Sequence, residues 1–183
     1  MEKHDWAALP RDILLEILGR LRQVDVLRGA GLACASWWRA AVEEPALWRT
    51  IDVAFNEEDH INQQAYEARL AMARAAVDRS ASQCESFRGV ADGDLLAYLT
   101  ARAPSLRSLH LTGRFLFSTL LGLLEQYCPR LEVLDADDCV TDEPTGWRVL
   151  FRWHRKLKVF RGPSLPYFFS MAPVVASAKS RII

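Results

Sequence analysis

The chain has 183 residues, 50 % of them hydrophobic and 25 % charged, and its formal net charge is zero. That is an ordinary globular balance, sufficient for one domain or for a small domain joined to a larger one. Neutrality excludes the overall basic field that drives binding to nucleic acid or an anionic membrane.

The first five residues, Met1 to Asp5, contain no apolar signal core. Beyond them, Pro10 suits the first turn of a helix, where its missing N–H costs nothing. Ile13, Leu14, Ile17, Leu18 and Leu21 follow at helical spacing and form one stripe. Asp25 is placed to cap a second helix that starts at Val26, and Gly29 and Gly31 should weaken that helix by roughly 1 kcal/mol each. A third helix is expected over 36–42, with Trp37 and Trp38 in its first turn, ended by Glu43-Glu44-Pro45. Leu47 and Trp48 then return to the core. Three short helices cannot enclose Trp6, Leu9, the stripe, Val26, Leu27, Trp37, Trp38 and Trp48 together, so part of this apolar surface should face a partner.

These residues resemble the F-box motif: Leu9-Pro10, the Ile13 to Leu21 stripe, Asp25-Val26-Leu27, Cys34 to Trp37 and Leu47-Trp48 occur in its order and spacing. The resemblance covers residues 5–52. It implies a subunit of an SCF-type cullin–RING ubiquitin ligase that docks on a Skp-family adaptor and through it on a cullin. Carried onto this chain, Leu9, Pro10, Ile13, Leu14, Ile17, Leu18, Val26, Leu27, Cys34 and Trp37 would meet the adaptor or shape that surface. Two departures from the motif are the glycines at 29 and 31 and Ala35, which stands where a basic residue usually follows the cysteine.

Residues 57–82 are rich in Ala and Arg, with Tyr66, Leu70, Ala73 and Val77 at helical spacing, as expected of a connecting helix. A repeat follows. Leu106-x-x-Leu109-x-Leu111 recurs as Leu131-x-x-Leu134-x-Ala136 and Leu157-x-x-Phe160-x-Gly162, at intervals of 25 and 26 residues. A weaker copy, Cys84-x-x-Phe87-x-Gly89, lies 22 residues before the first. Helices are expected between the copies, over 94–102, 119–127 and 145–155, with Pro104 and Pro129 stopping the first two. A strand and a helix alternating at this period resemble leucine-rich repeats, with Cys139 at the position of the cysteine-containing subtype. Leading leucines would point inward. Ser86, Arg88, Ser108, His110, Val133, Asp135, Val159 and Arg161 would point outward by strand alternation. Arg88, His110, Asp135 and Arg161 are the candidates for contact with a target protein.

The predicted architecture is thus α/β: a small helical F-box at 5–52, a connecting helical segment at 53–82, leucine-rich repeats at 83–162 and an uncapped tail at 163–183. No polar cap closes the four expected strands, as in a shortened form of a longer repeat protein. The tail is too short and too interrupted by Pro166 and Pro173 to span a bilayer.

Charge is uneven along this plan: residues 1–60 hold 7 basic and 11 acidic side chains, and residues 61–183 hold 16 and 12. Cysteines 34, 84, 128 and 139 form no Cys-x-x-Cys pair and fit reduced thiols of a cytoplasmic or nuclear protein. The four histidines are scattered, so no zinc site, cofactor or metal is expected. Gly29-Ala-Gly31 lacks the rest of a phosphate loop, and no nucleophile elbow occurs. The acidic run from Asp135 to Glu143 fits a solvated loop better than a calcium rhythm. A basic face on the helix near 147–156 fits an amphipathic repeat helix better than an RNA site. The functional expectation is a non-catalytic substrate receptor of a ubiquitin ligase. The alternative is an interaction protein that binds the adaptor without recruiting a target.

Overall fold

The structure, a computed structural model, describes residues 6–56, 62–113, 115–136, 139–140 and 156–161. Three short helices come first: α1 (Arg11–Arg20), α2 (Gln23–Arg28) and α3 (Ala35–Glu43). Pro10 immediately precedes α1, and its carbonyl accepts from the Leu14 N–H at 3.1 Å. Leu14 and Leu18, one turn apart, are the buried residues of that helix. Helix α2 starts three residues earlier than its sequence predicts. Asp25 lies in the first turn rather than at the cap, where its charge still suits the helix dipole.

Gly29 and Gly31 lie outside α2, so neither weakens it. Gly29 caps its C-terminal end. Gly31 is buried, and a Cβ there would stand 2.7 Å from the Val26 carbonyl oxygen and 3.3 Å from the Ala41 Cβ. Gly31 lets the turn between α2 and α3 pack closely on both helices instead of loosening one.

The remaining elements alternate strand and helix: β1 (Thr50–Asp52), α4 (Gln63–Arg79), β2 (Ser86–Val90), α5 (Gly93–Arg102), β3 (Ser108–Thr112), α6 (Phe117–Tyr127), β4 (Val133–Asp135) and β5 (Val159–Arg161). The strands form one parallel sheet in chain order. Asn62 and Asp92 cap α4 and α5, their side chains accepting from Ala65 N and Leu95 N at 2.8 and 2.7 Å. Helices α5 and α6 end at Arg102 and Tyr127, two residues before Pro104 and Pro129. The helix expected over 145–155, most of the acidic run and the tail from 163 onward lie outside the described residues.

The sheet has five described strands where four repeat copies were expected. The additional strand, β1, pairs with β2 through Thr50–Ser86, Ile51–Phe87 and Asp52–Arg88. Trp48-x-x-Ile51-x-Val53 is therefore a repeat copy too, although it stands inside the apparent helical module. Helix α4 is then the helix of the first strand–helix unit rather than a separate connector. Three inward rows make the core: Trp48, Cys84, Leu106 and Leu131; Ile51, Phe87, Leu109 and Leu134; Val53, Gly89, Leu111 and Ala136, all buried. Each fully buried Leu or Phe contributes about 1.5–3 kcal/mol.

Candidate protein-binding surfaces

The helical module leaves large apolar side chains in solvent. Trp6 is 62 % exposed, Leu32 61 %, Trp38 48 % and Ile13 40 %. All four stand on α3 or on elements packed against it. The N-terminal turn is tied to the start of α3: the Trp37 indole N–H donates to the Trp6 carbonyl at 3.0 Å, and the Ser36 hydroxyl to the Ala7 carbonyl at 2.9 Å. Cys34 Sγ lies 3.1 Å from the Ser36 hydroxyl. These bonds hold Trp6 in place, so its exposure belongs to an ordered surface. Four exposed apolar side chains, on α1, α3 and the two short turns packed against α3, form a surface suited to a protein partner.

The second surface is the outward face of the sheet. Its register aligns Asp52, Arg88, His110, Asp135 and Arg161 in one row across the five strands. Successive members pair: Arg88 Nη1 with Asp52 Oδ2 at 3.6 Å, His110 Nδ1 with Asp135 Oδ2 at 3.6 Å, and Arg161 Nη1 with Asp135 Oδ2 at 3.8 Å. The four candidate target-contact residues thus fall in a single row.

A parallel row lies one residue before each strand. Arg49, Glu85, Arg107, Glu132 and Lys158 alternate in sign. Ion pairs join Arg49 to Glu85 at 2.5 Å, Arg107 to Glu132 at 3.8 Å and Lys158 to Glu132 at 2.5 Å. In the backbone of this row, the carbonyls of Arg49, Glu85, Arg107 and Glu132 each accept two N–H groups from the next repeat. The hydrogen bond and charge of Arg49 hold the Glu85 carboxyl below the usual carboxylate range, and those of Lys158 do the same for Glu132. Between the rows stand Thr50, Ser86, Ser108, Val133 and Val159.

A family model described as F-box-like matches residues 6–54. The chain is 34 % identical over 112 residues to F-box protein SKIP19 of Arabidopsis thaliana, a match covering 60 % of this chain and 36 % of that protein. It is 29 % identical over 140 residues to F-box/LRR-repeat protein 23 of the same plant, covering 74 % of this chain and 30 % of that one. It is 31 % identical over 145 residues to F-box/LRR-repeat protein 22, covering 76 % and 45 %. Residues 6–54 thus form an F-box-like domain, and the chain is similar to plant F-box/leucine-rich-repeat proteins. It spans less than half the length of these curated relatives.

Within the F-box, the structure divides the motif residues into two layers. Leu14, Leu18 and Val26 are buried and support the surface from beneath. Leu9, Ile17, Leu27, Cys34 and Trp37 are half-buried, and Pro10 and Ile13 are exposed. Leu32, Trp6 and Trp38 join the exposed set, although motif spacing did not single them out. Adjacent tryptophans at 37 and 38 are equivalent to a periodicity argument until the start of α3 is known. Trp48, the last motif residue, turns inward to the repeats: its indole N–H donates to the Ala41 carbonyl at 2.8 Å, and the Arg79 guanidinium stacks 5.1 Å from its ring. Among the described residues, no group of three or more His, Cys, Asp or Glu side chains is placed to hold a metal, and no helix is long and apolar enough to cross a membrane.

Proposed function

We propose that this chain is a non-catalytic substrate receptor of an SCF-type ubiquitin ligase, in the cytoplasm or nucleus. The F-box docks on a Skp-family adaptor, and through it on a cullin. The outward sheet face holds a target protein. F-box proteins generally act in this way, by proximity. Holding the target beside the conjugating enzyme raises the effective concentration of its lysines, and no bond chemistry is required of the receptor.

The observation that carries this reading is the exposure of Trp6, Ile13, Leu32 and Trp38 on an ordered helical surface. Buried at a partner, aromatic anchors of this kind dominate an interface, with truncation costing about 2 kcal/mol or more each. The test is co-purification of the full chain with a Skp adaptor. Trp38→Ala and Ile13→Ala should each lower adaptor affinity, and the pair should abolish retention while leaving the circular dichroism spectrum intact. A wild-type chain that retains no adaptor would refute the ligase reading. Retention of the adaptor with no protein held on the sheet face would favour a competitor over a receptor.

A further inference from the structure

The two ends of the outward sheet face differ in charge and in chemistry. At β1 and β2, Arg49 pairs with Glu85 and Arg88 with Asp52, one to one, around the hydroxyl-bearing Thr50 and Ser86. At β4 and β5 each carboxylate lies between two basic side chains. Glu132 is flanked by Arg107 and Lys158, and Asp135 by His110 and Arg161. Among the described residues, each carboxylate there is shared by two basic groups, and the outer cations stay exposed. Lys158 and Arg161 keep 71 % of their side chains in solvent, and Lys156 is exposed beside them. The lowered Glu132 carboxyl reflects this field: Lys158 acts on it first, then Arg107 and Lys156. Val159, 48 % exposed, stands between the two outer cations and beside Val133.

The geometry points to a binding site for an acidic peptide segment of the target protein at the β4–β5 end of this face. The inference rests on the reading of the face as the target-binding surface and names the chemistry of what it takes. Lys158 immediately precedes β5 and Arg161 ends it, three residues and roughly 10 Å of extended chain apart. An extended peptide alternates its side chains with period two, so a carboxylate, an aliphatic residue and a second carboxylate at every other position share one face, where the carboxylates can meet the two cations and the aliphatic side chain Val159 and Val133. Exposed ion pairs contribute little to stability, so Lys158 and Arg161 can turn from Glu132 and Asp135 to incoming carboxylates at small cost.

The test is fluorescence anisotropy of the full chain with a labelled peptide carrying two Glu four residues apart with a Leu midway between them. Peptides with Gln or Lys in place of Glu serve as controls. The Glu peptide should bind most tightly, and its affinity should fall with added salt. Lys158→Glu/Arg161→Glu should weaken it by about tenfold, whereas Arg49→Glu, at the other end of the face, should leave it nearly unchanged. Equal binding of the Glu and Gln peptides, or an unaltered affinity in the double variant, overturns the proposal. So does single-stranded RNA that binds as tightly and displaces the peptide, because the site would then be a general anion attractor. Adaptor co-purification by the double variant should match wild type. Loss of adaptor binding in the wild type would sink the ligase reading and leave the peptide result standing.

Discussion

Gly113 carries a constraint that no neighbour can relieve. Its φ is +136°, and a Cβ there would lie 2.3 Å from the Ala91 carbonyl oxygen and 2.9 Å from the Tyr66 hydroxyl. That hydroxyl donates to the same carbonyl at 2.9 Å, fixing α4 to the end of β2. Gly113→Ala should therefore cost roughly 1–3 kcal/mol, read as a lower denaturation midpoint at unchanged slope. Two cysteines are equally confined. Burial pushes the Cys84 and Cys128 thiols up to about 12. Both should resist alkylation at pH 8 in the native protein, while the half-buried Cys34 reacts first; early labelling of Cys84 or Cys128 would contradict the packing. Above the ordinary thiol value of about 8.5 the unfolded chain loses these protons before the native one does, so stability should fall as pH rises from there towards 12.

At the scale of elements, α5 and α6 were legible because leucines recur at helical spacing and a proline follows each. The outward residues were legible because strand alternation has a strict period of two. Strand β1 was not. It is three residues long, and its repeat lies 36 residues before that at Cys84, against 22 to 26 for the others. Its leading residue, Trp48, also completes the F-box pattern, so one residue serves two motifs and sequence spacing assigned it to only one. The layering of the F-box surface was hidden for a different reason. Stripe residues at helical spacing share a face, but which of them are covered depends on where α3 and the N-terminal turn cross α1. Trp48→Ala should cost about 3–5 kcal/mol, since it leaves a large cavity and strips the Ala41 carbonyl of its donor. The measurement is urea unfolding followed by fluorescence and circular dichroism together.

For the whole molecule, the joint at Trp48 makes the F-box and the sheet continuous. The turn at Pro45–Trp48 runs into β1, whose Asp52 N–H donates to Gln23 Oε1 of α2 at 3.3 Å. An F-box helix thus covers the sheet edge, with no tether between the helical module and the sheet. In the Trp48→Ala variant both probes should move together; separate transitions would indicate two independent bodies. The charge rows add a pH dependence. The Glu85 and Glu132 carboxyls lie lower in the folded protein than in the unfolded chain, so their contribution is present above about pH 4.3 and lost as pH falls through the folded values. The acid limb of a thermal-stability profile should be shallower in Glu85→Gln/Glu132→Gln than in wild type.

The doubled hydrogen bonds at Arg49, Glu85, Arg107 and Glu132 act as a ruler. Each carbonyl locates the start of the next strand, so neighbouring strands advance by the same step of about 4.8 Å whether the intervening chain is long or short. Differences in repeat length are absorbed on the helical side and never reach the outward rows. A chain whose helix is longer or shorter keeps the pitch of its outward face. The side chains of that face can then change one at a time, as letters are changed on a line of fixed type.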